Sequence, residues 1–138
     1  MYHSILLATD LNENHFAMCQ RAVKIAASFA AKLYLLHVIE PPPSLQLAQG
    51  LGFAEFDMPV KNDAIAVMSV LGEALGIPVT QQFVEVGSIK SQVIDKVNAL
   101  HCDLIIIGSH TDYLPAILSS TAHTIVHQAT CDVLTLHA

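Results

Sequence analysis

Five short apolar runs, each closed by polar or turn-forming residues, alternate along the chain with segments whose apolar positions recur every three or four residues. Residues 4–9 form the first run, too short for a helix and bounded by Asp10 and the polar stretch after it, which predicts a buried strand. Phe16, Cys19, Val23, Ala26 and Ala30 then recur at helical spacing, with Asn12 or Asn14 able to cap the helix they define. Residues 33–39 make a second strand, stopped by Pro41, Pro42 and Pro43, which cannot continue a ladder. An irregular stretch is expected over 41–59, and so long a loop inside a domain is usually functional.

A second helix is predicted over 60–75, closed by Gly76 and Pro78. Residues 79–86 alternate weakly, as an edge strand with one wetter face does. Ser88 can cap a third helix with Ile89, Val93, Val97 and Leu100 on one face. Residues 103–107 are the strongest buried strand. Ser119 or Ser120 can cap a fourth helix with Ala122, Ile125, Val126 and Ala129 inward, and Val133, Leu134, Thr135 and Leu136 form the last strand.

Strands alternating with helices predict an α/β fold: a three-layer, doubly wound, five-stranded, mostly parallel sheet with helices on both faces. Strands 1 and 4 have the purest apolar runs and are expected as the central pair. If they are neighbours, the crevice beyond Asp10 and Gly108 is the switch point where ligands bind in open α/β sheets.

Composition narrows the class. With 138 residues, 53% hydrophobic and 13% charged, the chain is expected to be a single domain, 1–138, with a substantial core. No apolar run approaches the roughly 18 residues of a membrane span, and the N-terminus lacks a signal-peptide pattern, so no membrane partner and a cytoplasmic location are expected. Six basic residues face twelve acidic ones and are scattered, which argues against nucleic acid. Cys19, Cys102 and Cys131 are odd in number and sit in apolar segments, as buried small hydrophobes in a reducing compartment do.

The turn after strand 4 carries the sharpest chemical signal. A phosphate cradle needs converging backbone N–H groups, generally several glycines, a helix N-terminus and often a cation. From Gly108 to Ser120 there is one glycine, no lysine or arginine, a repelling Asp112, and hydroxyls on Ser109, Thr111, Ser119 and Ser120 that serve equally as caps and turn formers. Asp10 can hold a ribose or metal, or cap its own loop. His123 and His127 have a metal-compatible spacing, but no further ligand is placed beside them, so no metal site is expected. Glu55, Asp57 and Asp63 read as a solvated loop and helix start, with Asp63 near the positive end of helix 2. No nucleophile elbow supports a hydrolase. A phosphorylation receiver lacks its acidic pair after strand 1 and its lysine at strand 5, and a flavin carrier lacks a Ser/Thr/Gly-rich first loop.

Asp10 after strand 1, His37-Val-Ile-Glu40, Val86-Gly-Ser88, the run Asp103 to His110, and Cys131-Asp-Val-Leu134, in that order, resemble the universal stress protein family over essentially the whole chain. The resemblance implies strand order 3-2-1-4-5 and a homodimer paired antiparallel through the strand of Val133, Leu134, Thr135 and Leu136. ATP-binding members carry Gly-x2-Gly-x9-Gly-(Ser/Thr) after strand 4, with the aspartate after strand 1 and a valine after strand 2 at the nucleotide. Here Gly108 fills the first position, Thr111 the second and Ser119 the third, and the second gap is two residues short. The form Gly108, His110, Asp112, Tyr113, Ser119, Ser120 is similar instead to the A-type subgroup, typified by not binding ATP. The implied protein is a non-catalytic regulatory or protective stress protein with unnamed protein clients and no expected cofactor. Asp10, Val38, Gly108, Ser109, Ser119 and Ser120 then line a degenerate nucleotide crevice. The alternative is an ATP or AMP binder with slow hydrolysis, which the architecture permits and the loop disfavours.

Overall fold

The computed structural model describes residues 1–11, 15–41, 53–109 and 123–137. Strands β1 (Ser4–Ala8), β2 (Lys32–Ile39), β3 (Gln82–Val86), β4 (Leu104–Ser109) and β5 (Asp132–His137) form one sheet in the order β3-β2-β1-β4-β5. Every pairing is parallel, so the sheet is all parallel rather than mostly so. Parallel neighbours need a long crossover. Three of these contain the helices α1 (Phe16–Ser28), α2 (Phe53–Leu75) and α3 (Ile89–Leu100), and residues 123–128, helix α4, precede β5.

The two-residue period of the strands sorts the core. Ile5, Leu7, Leu33, Leu35, Leu104 and Ile106 face α1 and α2, where Met18, Cys19, Ala22, Ala26 and Met68 meet them. Leu6, Leu36, Val38, Ile105 and Ile107 face the other way, onto Val93 and Val97 of α3 and Ile125 of α4. The register keeps these sets in phase, Ile5 beside both Leu33 and Leu104, and a slip of one residue would turn each strand's apolar set outward. As the apolar runs predicted, β1 and β4 are adjacent in the centre, with Ile5, Leu6, Leu7, Ile105 and Ile106 fully buried.

Several boundaries differ from the sequence expectation, each for a local reason. Helix α2 begins at Phe53, not at residue 60, and Pro59 lies inside it. A proline withholds one N–H from the helical ladder, which makes it read as a boundary. Asp63 is therefore exposed in mid-helix, away from the positive end, and only 42–52 of the expected irregular stretch falls outside the described residues. Residues 79–81 form a 3-10 turn ahead of β3, with Gln81 N–H donating to the Pro78 carbonyl at 2.9 Å. Helix α1 ends at Ser28, so Ala30, at φ 53°, lies beyond it and is exposed; Met18 and Ala22 take the inward positions instead. On α4, Ile125 is buried, and Ala129, just past the helix, packs against the same cluster, but Val126 is half exposed because the next residue along a helix turns away from its predecessor. No helix among the described residues is long and apolar enough to cross a membrane.

Candidate functional site

The sheet order reverses about β1, which has β2 on one side and β4 on the other. Helix α1, after β1, and helix α4, after β4, pack on opposite faces of the sheet, and in open α/β sheets ligands bind beyond the carboxyl ends of the strands at such a reversal. The chain leaves β1 through Thr9, whose N–H donates to the Leu36 carbonyl at 2.9 Å. It then bends sharply at Leu11, in the left-handed region at φ 62°. A leucine there costs about 1 kcal/mol or more. The Thr9 hydroxyl offsets part of that by accepting from Leu11 N–H at 3.2 Å. The same oxygen accepts from the Cys19 thiol at 3.9 Å, joining the turn to α1.

Two histidines complete this end of the sheet. His37 Nδ1 lies 2.8 Å from the Thr9 carbonyl, and since a carbonyl can only accept, Nδ1 carries the proton. His15, the residue ahead of α1, is buried and sets its Nδ1 3.5 Å from Oδ1 of Asp10. It occupies the helix cap position without capping through its side chain; Asn12 and Asn14, the expected caps, lie outside the described residues.

Gly108, the one glycine of the expected phosphate loop, stands in β4 opposite Leu136. A Cβ there would lie 2.5 Å from Met18 Sδ, 3.2 Å from its Cε and 3.6 Å from His15 Cε1. The missing side chain lets the start of α1 close onto β4, so this glycine has a packing reason of its own. Val38 is buried on the opposite face of the sheet against α3. Ser109 ends β4 in register with His137, and Ser119 and Ser120 lie outside the described residues. Of the expected site residues, the fold gathers Asp10 and Gly108 around His15.

The sequence reading did not single out His15, and it assigned no contact to His37 and Glu40, which it named only as a motif, or to Arg21. The Arg21 guanidinium donates to the His137 carbonyl at 2.8 Å, at the carboxyl end of β5. Glu40 Oε1 accepts from Ile89 N–H at 2.8 Å, capping α3; Ser88 holds the cap position without a side-chain bond. The available signal was polarity out of place: His37 interrupts an otherwise apolar strand, and Glu40 follows it directly.

Between α1 and α2, beside the turn, an open cleft of about 210 Å³ is lined by Thr9, Leu11, Phe16, Cys19, Val67, Val70, Leu71 and Ala74. It is smaller than the roughly 300–1,000 Å³ of drug-sized sites and has Thr9 as its one polar wall. Burial raises the Cys19 thiol above its ordinary value, pushes Cys102 up to about 12, and raises the half-buried Cys131 as well. Cys19 and Cys102 are buried, as expected of small core hydrophobes, whereas Cys131, expected to be buried with them, is only partly so.

The chain matches the profile of the Universal stress protein family over residues 1–137. It is 34% identical to Universal stress protein A homolog 1 of Coxiella burnetii, over 96% of this chain and 94% of the relative. Among solved structures it resembles MJ0577, a protein whose biochemical function was assigned from its structure, with TM-score 0.76, 23% identity and coverage of 100% and 97%. It also resembles a universal stress protein solved in complex with cAMP, with TM-score 0.71, 17% identity and coverage of 99% and 97%.

Proposed function

Because the chain belongs to the universal stress protein family, whose members serve the stress response, we propose that it acts there as a non-catalytic, cytoplasmic homodimer whose crevice no longer holds ATP. One observation carries this reading: Gly108, the one glycine of the loop, is accounted for by the contact with Met18 and His15. The crevice keeps Asp10, but Asp10 faces His15. Between Gly108 and Ser120 the sequence supplies neither further glycines nor a cation. Asp10, Val38, Gly108, Ser109, Ser119 and Ser120 are the positions where a residual ligand would leave its mark.

The partner in this reading is a second copy. Strand β5 is an edge of the sheet, with Val133 and Leu134 half-buried, Thr135 exposed and Leu136 buried, and an open parallel edge is a template for pairing. Sedimentation at micromolar concentration is expected to give a dimer, weakened by Thr135→Pro if the ladder donor it removes faces the partner strand; a monomeric wild-type chain would remove this part of the proposal.

A second reading, nucleotide binding with slow hydrolysis, is favoured by the position of Asp10, whose side chain stays 39% exposed at the end of β1. Calorimetric titration with Mg-ATP and with cAMP separates the two, silence in both supporting the first reading and micromolar binding of either supporting the second.

A further inference from the structure

His123 and His127 stand one helical turn apart on α4, with ring centroids 4.2 Å apart and ring planes at 63°. Both residues are exposed, while Ile125 between them is buried in the core. The helix is thus held to the sheet by one side and presents the two imidazoles together on the other. Side chains four residues apart share a helix face, and here they are in contact.

We propose that this pair is a divalent transition-metal site, taking Zn²⁺ or Cu²⁺ through the two imidazoles with water in the remaining positions. Imidazole nitrogens bind such ions at about 2.0–2.1 Å, so two of them on one ion put their ring centroids about 4.5 Å apart at a right angle, as on square-planar Cu²⁺, and about 5.2 Å apart at the tetrahedral angle of Zn²⁺. From the observed 4.2 Å edge contact the rings must turn and part by up to about 1 Å to chelate. Imidazole suits borderline ions such as Zn²⁺, Cu²⁺ and Ni²⁺, and Cu²⁺ binds tightest among the divalent first-row metals. Among the described residues no group of three or more His, Cys, Asp or Glu side chains forms a metal cluster. Two protein donors leave the remaining positions to water, which makes a site open and exchangeable. Chelation needs the one-turn spacing, so the ion favours the helical state of 123–128, the segment leading into β5.

The chain has eight histidines, so the test must resolve individual rings. Zn²⁺ titration of the full chain, followed by long-range proton–nitrogen NMR of the histidine side chains, is expected to shift the His123 and His127 rings together, saturating at one ion. His127→Ala should weaken the His123 response by about tenfold or more through loss of one of two donors. His123→Ala should do the same to His127, and an unchanged far-UV circular dichroism spectrum identifies the loss as local. The proposal is overturned if neither ring responds by millimolar Zn²⁺, or if either ring responds equally well without its neighbour.

Discussion

The two ends of the sheet use their polar groups in opposite ways. At the amino end the contacts run between strands. Asp103 accepts from the N–H groups of His3 and Ser4 at 2.9–3.2 Å and returns its own N–H to the Ser4 carbonyl at 2.8 Å. Lys32 N–H donates to the His3 carbonyl, and Tyr2 Oη donates to Asp132 at 2.7 Å, so β1 is tied to β2, β4 and β5 before the ladders begin. At the carboxyl end the contacts run between turns and helix starts: His37 to Thr9, Leu11 to Thr9, Asp10 to His15, Glu40 to the first N–H of α3. The first set fixes strand register; the second ties the turns to the helices that follow the strands. Polar residues at strand ends are thus informative only once it is known which end they occupy, because in open α/β sheets ligands enter at the carboxyl end.

The largest effect is expected at Gly108, at the carboxyl end. If the glycine serves packing, Gly108→Ala should destabilise the fold by about 1–3 kcal/mol, as overpacking does, with Met18, itself buried, unable to step aside freely. Met18→Ala should then cost less in the Gly108→Ala background than in wild type. Denaturant unfolding of the four variants checks this, and strictly additive costs would show that the two side chains do not meet.

At the amino end the expected effect is smaller and depends on pH. Asp103→Ala removes the acceptor of two backbone N–H groups in a partly solvated place, an expected loss of about 1 kcal/mol at neutral pH. Burial pushes the Asp103 carboxyl up, but the N–H groups of His3 and Ser4 outweigh it and hold the carboxyl below the ordinary value when folded. A depressed carboxyl contributes its full stability above the unfolded-chain value and loses it as pH falls through the lower folded value. The gap between wild type and variant should therefore be constant near neutrality and close below about pH 4. A gap that widens on acidification would assign Asp103 another role.

Glu40→Ala should cost least, about 0.5–1 kcal/mol, since the lost cap on α3 is exposed and water replaces it. Faster amide exchange confined to the start of α3 is the sharper readout. Loss of protection in β3 instead would place Glu40 in the sheet rather than at the helix.

Much of the frame was legible in the sequence because buried parallel strands need uninterrupted apolar runs: 4–9 and 103–107 announced the central pair, and the spacing of Val93 and Val97 announced the face of α3. The start of α2 was hidden by Pro59, a local rule that the rest of a 23-residue helix overrides. Half of the site was legible for the same kind of reason. Asp10 and Gly108 stand where apolar runs end, and strand ends are visible in a pattern. His15 was not, because its contacts with Asp10 and with the space over Gly108 arise from the approach of α1 to β4, a tertiary event with no sequence period. The same holds for His123 and His127, whose spacing is legible but whose ring contact is not.

The proposed loss of nucleotide binding beyond β1 and β4 is tested most directly by calorimetric titration of the purified chain with Mg-ATP, paired with native mass spectrometry for any carried ligand. No heat of binding at micromolar protein and no co-purifying nucleotide are expected. Saturable ATP binding at micromolar concentration, abolished by Asp10→Ala, would contradict it.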